Sequence, residues 1–186
     1  MRTLSQILLD VNSVLDLEAT LPTGTDLTAR ANYANQAIWD ASATGQLSEF
    51  KLEYITATST LATFPLPTNF REVMQNPRVL NNGSWTEYEM IEAESKYDKD
   101  SSDYYGYVLG NPSSGYNLVL NNPLPNATLS LIYQRFPSGL LTLTDVCELS
   151  DPQYVARKVE SYVLYSRADQ RFPIAESRAE QVLANL

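Results

Sequence analysis

The first apolar residues of the chain recur at the three- and four-residue spacing of an amphipathic helix. They are Leu4, Ile7, Leu8, Val11, Val14 and Leu15. Thr3 and Gln6 have the spacing of a capping box, in which each side chain accepts a hydrogen bond from the other residue's backbone N–H. The pattern predicts a first helix over residues 3–17.

A second helical pattern follows the turn sequence Leu-Pro-Thr-Gly, with Thr25 as the candidate N-cap. Its apolar positions alternate spacings of four and three: Leu27, Ala31, Ala34, Ile38 and Ala41. We predict a helix that ends near Ala43, before Gly45. Alanine lets a neighbouring helix approach closely. That neighbour lies either in the same chain, which is the favoured interpretation, or in another subunit.

From Phe50 the apolar residues alternate with polar ones, which is the period of a β-strand. Strands are predicted within residues 50–57, 59–67, 104–109, 116–120 and 128–133. Asn82-Gly83 lies between two strand-like runs and predicts a tight hairpin. Asn69 and Glu72 predict a short helical turn through Phe-Arg-Glu-Val-Met. The runs 116–120 and 128–133 are predicted to form a hairpin-like pair within one sheet or sandwich.

The helical period returns at the C-terminal end of the chain. Ser150 or Asp151 is the candidate cap and Pro152 occupies the first turn. One apolar face then contains Val155, Val159, Tyr162, Val163 and Ser166. Pro173 interrupts the helix. A last amphipathic face follows, made of Ala175, Ala179, Val182, Leu183 and Leu186.

This order of elements predicts an α+β fold in which both chain ends build one helical body. We assign residues 1–45 and 150–186 to the helical body. Residues 46–149 are assigned to an inserted antiparallel β lobe.

Composition and charge narrow the possible functions. The chain has one cysteine, Cys147, so an intrachain disulfide is impossible and a reducing compartment is favoured. The formal net charge of -9 disfavours general binding to nucleic acid. Polar residues interrupt the N-terminal apolar run, so we predict neither a signal peptide nor a membrane segment.

Few residues are suited to catalysis or cofactor binding. The chain has no histidine, which argues against the ordinary serine and cysteine triads and against histidine-ligated zinc. It also has no phosphate-binding glycine-rich loop, and we predict no cofactor or resident metal. The sequence Asp-Lys-Asp-Ser-Ser-Asp at 98–103 hints at calcium ligands, but Asp103 stands where the calcium loop of an EF-hand requires glycine.

Four segments of the chain together resemble one known family. They are the N-terminal helices with Ala-Asn-Tyr-Ala-Asn-Gln-Ala-Ile-Trp-Asp-Ala-Ser, the run Phe-Pro-Leu-Pro-Thr-Asn-Phe-Arg-Glu-Val-Met, the strands within 116–137 and the closing helix from Asp151. That family is the head-to-tail adaptor, or connector, family of tailed bacteriophages. The inserted β region is similar to that of its larger members, of the tail tubular protein A type.

The resemblance implies a structural protein without turnover. Copies of the chain would form a ring, usually twelvefold, beneath the portal protein, and the ring would extend the DNA channel and provide a platform for tail or nozzle proteins. Genomic DNA would pass through without sequence-specific binding. The protein would be assembled in the host cytoplasm and lie in the neck of the virion. Candidate contacts between subunits are Ala31, Ala34, Ile38, Ala41, Val182, Leu183 and Leu186.

Two other classes of function stay open. A carbohydrate-binding or adhesion module would use exposed tyrosines of the β region, with Tyr104, Tyr105, Tyr107, Tyr116 and Tyr133 as candidates. A glycan-cleaving enzyme would need two differently tuned carboxylates. The carboxylates close together in sequence are Glu87, Glu89, Glu92, Glu94, Asp98, Asp100 and Asp103. A run this polar is typical of a solvated surface.

Overall fold

The computed structural model describes residues 2–15, 17, 20–44, 47–57 and 62–186, and in that part of the chain it shows an α+β fold. The α-helices are α1 (Leu4–Val14), α2 (Gly24–Ala43), α3 (Gln153–Ser166) and α4 (Phe172–Leu183). Two short 3-10 helices cover Ser48–Phe50 and Ala93–Asp98. The predicted fold class is confirmed.

The strands form two sheets. They are β1 (Lys51–Ala57), β2 (Thr63–Pro65), β3 (Phe70–Val73), β4 (Arg78–Asn81), β5 (Ser84–Glu87), β6 (Glu89–Met90), β7 (Tyr105–Asn111), β8 (Gly115–Leu120) and β9 (Thr128–Arg135). The first sheet has the order β1-β9-β4-β5, with β3 also paired to β9, and the second has the order β2-β8-β7-β6. Pairing is antiparallel except between β6 and β7, which are parallel. Among the described strands the inserted lobe is thus antiparallel, as predicted, apart from this two-residue pair.

The chain divides into two compact units. The helical unit contains Met1–Glu49 and Pro137–Leu186, and the β unit contains Phe50–Phe136. Residues 137–149, which the sequence analysis assigned to the β lobe, thus belong to the helical unit. The backbone explains this, because the N–H of Leu4 donates to the carbonyl of Asp145 at 2.9 Å and the N–H of Cys147 donates to that of Arg2 at 2.9 Å.

Helix α1 begins where the capping box predicts. The N–H of Gln6 donates to Thr3 Oγ1 at 3.4 Å, and the N–H of Thr3 donates to Gln6 Oε1 at 2.9 Å. The apolar face then packs inside the helical unit, with Leu4, Ile7, Leu8 and Val11 buried. The helix ends at Val14, three residues before the predicted end at 17. The predicted stop of the second helix at Gly45 lies outside the described residues.

The hairpin prediction at Asn82-Gly83 is confirmed. Both residues have positive φ, 48° and 81°, as a tight turn of this type requires. The flanking strands β4 and β5 pair from Asn81↔Ser84 to Arg78↔Glu87. The local sequence thus fixes both the turn and its register.

Two predictions in the β region are wrong. Phe-Arg-Glu-Val forms strand β3 and not a helical turn, because Phe70 and Val73 pair with Arg135 and Tyr133 of β9. The runs 116–120 and 128–133 form strands, but the two strands do not pair with each other. Strand β8 lies in one sheet and β9 in the other. Their inward side chains meet in a shared core that includes Leu118 and Leu131.

The link between α3 and α4 contains a strained residue. Ala168 has φ +51°, in the left-handed region that costs an L-residue roughly 1–2 kcal/mol. The N–H of Asp169 donates to the carbonyl of Leu164 and that of Ala168 to Tyr165, both at 3.0 Å. These two bonds form a Schellman motif, whose left-handed position glycine occupies most often.

We therefore expect Ala168→Gly to raise the free energy of unfolding of the helical unit by up to about 1 kcal/mol. Ala156→Gly, inside α3, is the matched control. It should lower the same quantity by about 1 kcal/mol, because glycine in a helix interior gains freedom in the unfolded chain. Urea denaturation of both variants measures whether each substitution raises or lowers the free energy of unfolding. A decrease for Ala168→Gly would contradict the assignment of strain to this turn.

Candidate functional site

The alanine-rich face of α2 lies inside the helical unit. Ala34, Ile38 and Ala41 are 0%, 1% and 0% exposed, and α2 packs against α3. The prediction that these three residues contact a neighbouring subunit is wrong, because the chain's own helices already cover them. Ala31 is half-buried and lines a surface cleft of about 290 Å³ together with Leu27 and Leu141.

The end of α4 remains partly accessible. Val182, Leu183 and Leu186 are all half-buried. Leu183 and Leu186 line a groove of about 490 Å³, whose other lining residues include Leu47 and Glu180. Of the predicted contact residues, these three and Ala31 therefore have side chains that are partly accessible to another molecule.

A polar cluster joins α3 to α4. We define the Lys158 cluster as Lys158, Ser161, Glu176 and Glu180. Lys158 Nζ donates to Glu180 Oε1 at 2.9 Å and also to the carboxylate of Glu176, which accepts a further hydrogen bond from the Ser161 hydroxyl. The only residues of α4 that are fully buried are Ala175 and Ala179. The Lys158 cluster therefore provides specific contacts where apolar burial is small.

The environment of the Lys158 cluster stabilises both charges. Burial lowers the pKa of Lys158, but hydrogen bonds to Glu176 and Glu180 outweigh it, so the net pKa is raised. Burial raises the pKa of Glu176, yet the hydrogen bonds from Lys158 and Ser161 and the charge of Lys158 lower it overall. Both groups are therefore ionised at neutral pH.

Tyr162 of α3, next to the Lys158 cluster, contacts α2. The hydroxyl of Tyr162 donates to Asp40 Oδ2 at 2.6 Å, and its ring centroid lies 5.4 Å from that of Tyr33. Burial, followed by the hydrogen bond to Asp40, raises the pKa of the Tyr162 hydroxyl. Tyr162 thus keeps its proton and acts as a hydrogen-bond donor between the two helices.

Sequence reasoning missed this network, although one signal for it was present. Lys158 stands three residues after Val155 and four before Tyr162, on the face that was predicted to be apolar. A lysine at such a position needs a carboxylate partner, since burying an unpaired charge is costly. Its partners are on another helix, so periodicity alone could not identify them.

Several large apolar side chains of the helical unit are exposed. They are Trp39, Leu141, Val146, Tyr165 and Ile174, with exposed fractions between 45% and 87%. Single exposed apolar residues are common on soluble proteins. The helical unit has these exposed residues in addition to the open groove at the end of α4. It therefore has several apolar positions that another molecule could contact.

The acidic residues between 87 and 103 are all exposed. Several have local structural roles: Glu89 accepts from Lys99 at 2.6 Å, and Asp100 accepts from the N–H and the hydroxyl of Ser102 at 2.9 Å and 2.8 Å. The bonds from the Ser102 N–H and hydroxyl lower the pKa of Asp100. These carboxylates do not form the buried facing pair that a glycosidase requires.

The tyrosines of the β region serve mainly as core and packing residues. Tyr105 and Tyr133 are buried, and Tyr116 packs against the shared core. Tyr104 is 43% exposed and contacts Tyr88 edge-on. The most exposed aromatic residue is Tyr97, at 82%, and Lys96 Nζ lies 4.9 Å from its ring centroid. A broad sugar-stacking platform is not formed by the five predicted tyrosines.

Within the described ranges, no group of three histidine, cysteine, aspartate or glutamate residues could hold a metal ion. Cys147 is buried, and burial raises the pKa of its thiol. No helix among the described residues is long and apolar enough to span a membrane.

Comparisons of the chain with protein-family models and with curated proteins find no match. The resemblance noted from the sequence, the fold and the surfaces of the two units are therefore the basis for a functional proposal.

Proposed function

We propose that the protein is a structural subunit of a bacteriophage head-to-tail connector. In this role, copies of the chain form a ring beneath the portal protein. The ring extends the DNA channel and offers an attachment platform to tail or nozzle proteins. The site of action is the neck of the virion, and no reaction is catalysed.

The observation that carries this proposal is the division of the chain into its two units. Both chain ends contribute helices to one compact unit, and a contiguous β unit is inserted between them. This is the architecture that the resemblance to the larger connectors implies. The confirmed α+β fold supports the proposal, since the smaller, all-helical connectors would match only the two ends of the chain.

Surface chemistry adds support. The partly exposed end of α4 and the exposed apolar residues of the helical unit suit an assembling subunit, because subunit interfaces have apolar centres. The net charge of -9 suits a channel that DNA crosses without adhering. Neither the acidic segment nor the tyrosines favour the two alternative functions.

Negative-stain imaging and mass measurement of the purified protein, alone and with portal rings, test the proposal. We expect closed rings, either of the protein alone or assembled on the portal. A protein that stays monomeric with portal present and binds a glycan through Tyr97 would support the carbohydrate-binding alternative instead. Turnover of a glycan would favour the enzyme.

Leu183→Asp is expected to weaken ring formation while the β unit stays folded. The substitution places a charge in the groove at the end of α4, where a contacting partner would bury it at high cost. Mass photometry at several protein concentrations measures the assembled fraction, and circular dichroism monitors folding.

Gln181→Asp is the matched control, because Gln181 is exposed on the same helix and does not line the groove. It adds the same charge and should leave assembly unchanged. Equal assembly by the parent protein and Leu183→Asp would exclude the α4 groove from the subunit contact.

A further inference from the structure

The first sheet of the β unit ends in two open strands. Strand β1 pairs with β9, and β5 pairs with β4. Within the described ranges, neither strand has a backbone hydrogen bond to a second neighbour. Each outer strand therefore presents unpaired N–H and carbonyl groups along one side.

Neither edge contains a proline or a bulge, two of the usual features that prevent edge pairing. Strand β1 has seven residues, with no proline and no break in its register, and its Leu52 and Ile55 are 40% and 60% exposed. Strand β5 carries Trp85, which is 56% exposed. The second sheet differs, because its outer strand β2 has three residues including Pro65 and β6 has two. Proline and short length both protect an edge.

The strand directions suit head-to-tail pairing. Along the order β1-β9-β4-β5 every neighbour is antiparallel, so β1 and β5 run in opposite directions. When a second copy is placed beside the first by a rotation about an axis inclined to the strands, β5 of one copy meets β1 of the next in antiparallel orientation. The inclination lets the strands shift along their own direction from copy to copy while the ring still closes, as the strands of a closed barrel do. The two edges are different surfaces, so the contact is heterologous, as a ring requires.

The side-chain faces also match. Directly paired residues share a sheet face, and the pairings Ile55↔Ser130, Ser130↔Arg78 and Arg78↔Glu87 connect the two edges. Lys51, Glu53 and Ile55 therefore lie on the same face as Trp85 and Glu87. A continuous sheet keeps these faces aligned only when odd-numbered residues of β5 pair with odd-numbered residues of β1.

Among the strand registers that keep these faces aligned, the charges of the facing side chains favour one. With Glu87 opposite Lys51, opposite charges face each other and Trp85 lies diagonally beside Ile55. A shift of two residues places Glu87 opposite Glu53, and like charges directly opposite are destabilising. Glu87 accepts a hydrogen bond from Asn76 Nδ2 at 2.8 Å and lies 3.6 Å from Arg78, but its side chain is still 52% exposed and can face a second cation.

We infer that neighbouring subunits join their sheets by pairing β5 of one copy with β1 of the next, with Glu87 opposite Lys51. The inference rests on the proposed ring and specifies one of its contacts. Four residues of β5 give a short contact, so the helical unit supplies the rest of the interface area that a stable assembly needs.

The double variant Lys51→Cys/Glu87→Cys tests this register. Within one chain β9 and β4 separate the two edges, and Lys51 lies four residues along β1 from Ile55, the residue level with Glu87. The new cysteines are therefore about 19 Å apart, too far for an intrachain disulfide. Mild oxidation should therefore link different copies and give a ladder of dimers, trimers and larger species up to the closed ring on a non-reducing gel. The single variants should give no ladder beyond dimers. The register control Glu53→Cys/Glu87→Cys should cross-link much less.

Reversed charges provide a second measurement that needs no cysteine. Lys51→Glu and Glu87→Lys should each reduce the assembled fraction, and their combination should restore it. Rings without a ladder, or without rescue by the combined reversal, would overturn the strand pairing and leave the proposed function intact. A parent protein that forms no ring with or without portal would overturn both.

Discussion

Leu131→Ala is expected to lower the free energy of unfolding of the β unit by about 3 kcal/mol, as for other buried leucines cut back to alanine. Leu131 is 0% exposed and lies in the shared core, on the strand that holds β1, β3 and β4 together. The loss includes the transfer of the removed atoms to water and the cavity left between the two sheets.

The chain offers a direct measurement, because it has two tryptophans, Trp39 in the helical unit and Trp85 in the β unit. In a Trp39→Phe background, fluorescence during urea unfolding reports on the β unit. Ile132→Ala is the matched control: it is the next residue on β9, faces the opposite side and is half-buried. Its effect should be clearly smaller, and equal losses would contradict the assignment of the core face.

Lys158→Met is expected to lower the free energy of unfolding of the helical unit by about 2 kcal/mol. Removing one partner of a buried ion pair typically costs about 3–5 kcal/mol. We expect less here because the side chains of Glu176 and Glu180 are 32% and 54% exposed and regain water when the lysine is lost. Urea unfolding in a Trp85→Phe background, followed by Trp39 fluorescence, measures the effect.

The effect of Lys158→Met should depend on pH. The pKa of Glu176 is lowered below its ordinary value of 4.5 in the folded protein, so the ionised carboxylate contributes stability above that pH and loses it as the pH falls through the folded pKa. The difference between parent and variant should therefore narrow below pH 4.5. Lys99→Met, which breaks the exposed pair with Glu89, is the control and should change stability much less than Lys158→Met, because solvent screens a surface ion pair. A pH-independent difference would show that packing, and not charge, explains the effect of Lys158→Met.

Local patterns predicted the elements of this fold well. The capping box at Thr3 and the hairpin at Asn82-Gly83 depend on residues close in sequence, and both have the predicted geometry. The terminal helices follow the apolar period because one face of each packs inside the helical unit. The fold class followed from the order of these elements.

Pairing between distant segments could not be predicted in the same way. The separation of β8 and β9 into different sheets depends on partners far along the chain, since β9 pairs with β1 and β8 with β7. The local sequence at Phe70 suited a helical turn, but pairing with β9 overrode it. The partners of the α2 face and of Lys158 could not be predicted for the same reason. Periodicity shows which face of a helix is buried, but not which element covers it.

The division of the chain has a consequence for its synthesis. Residues 50–136 are contiguous, so the β unit leaves the ribosome complete and can fold as soon as it emerges, as domains generally do. Helices α1 and α2 emerge first but pack against α3, which is translated more than a hundred residues later. During that interval the apolar face of α1 lacks its final partner, so the nascent N-terminal segment is where a chaperone would act.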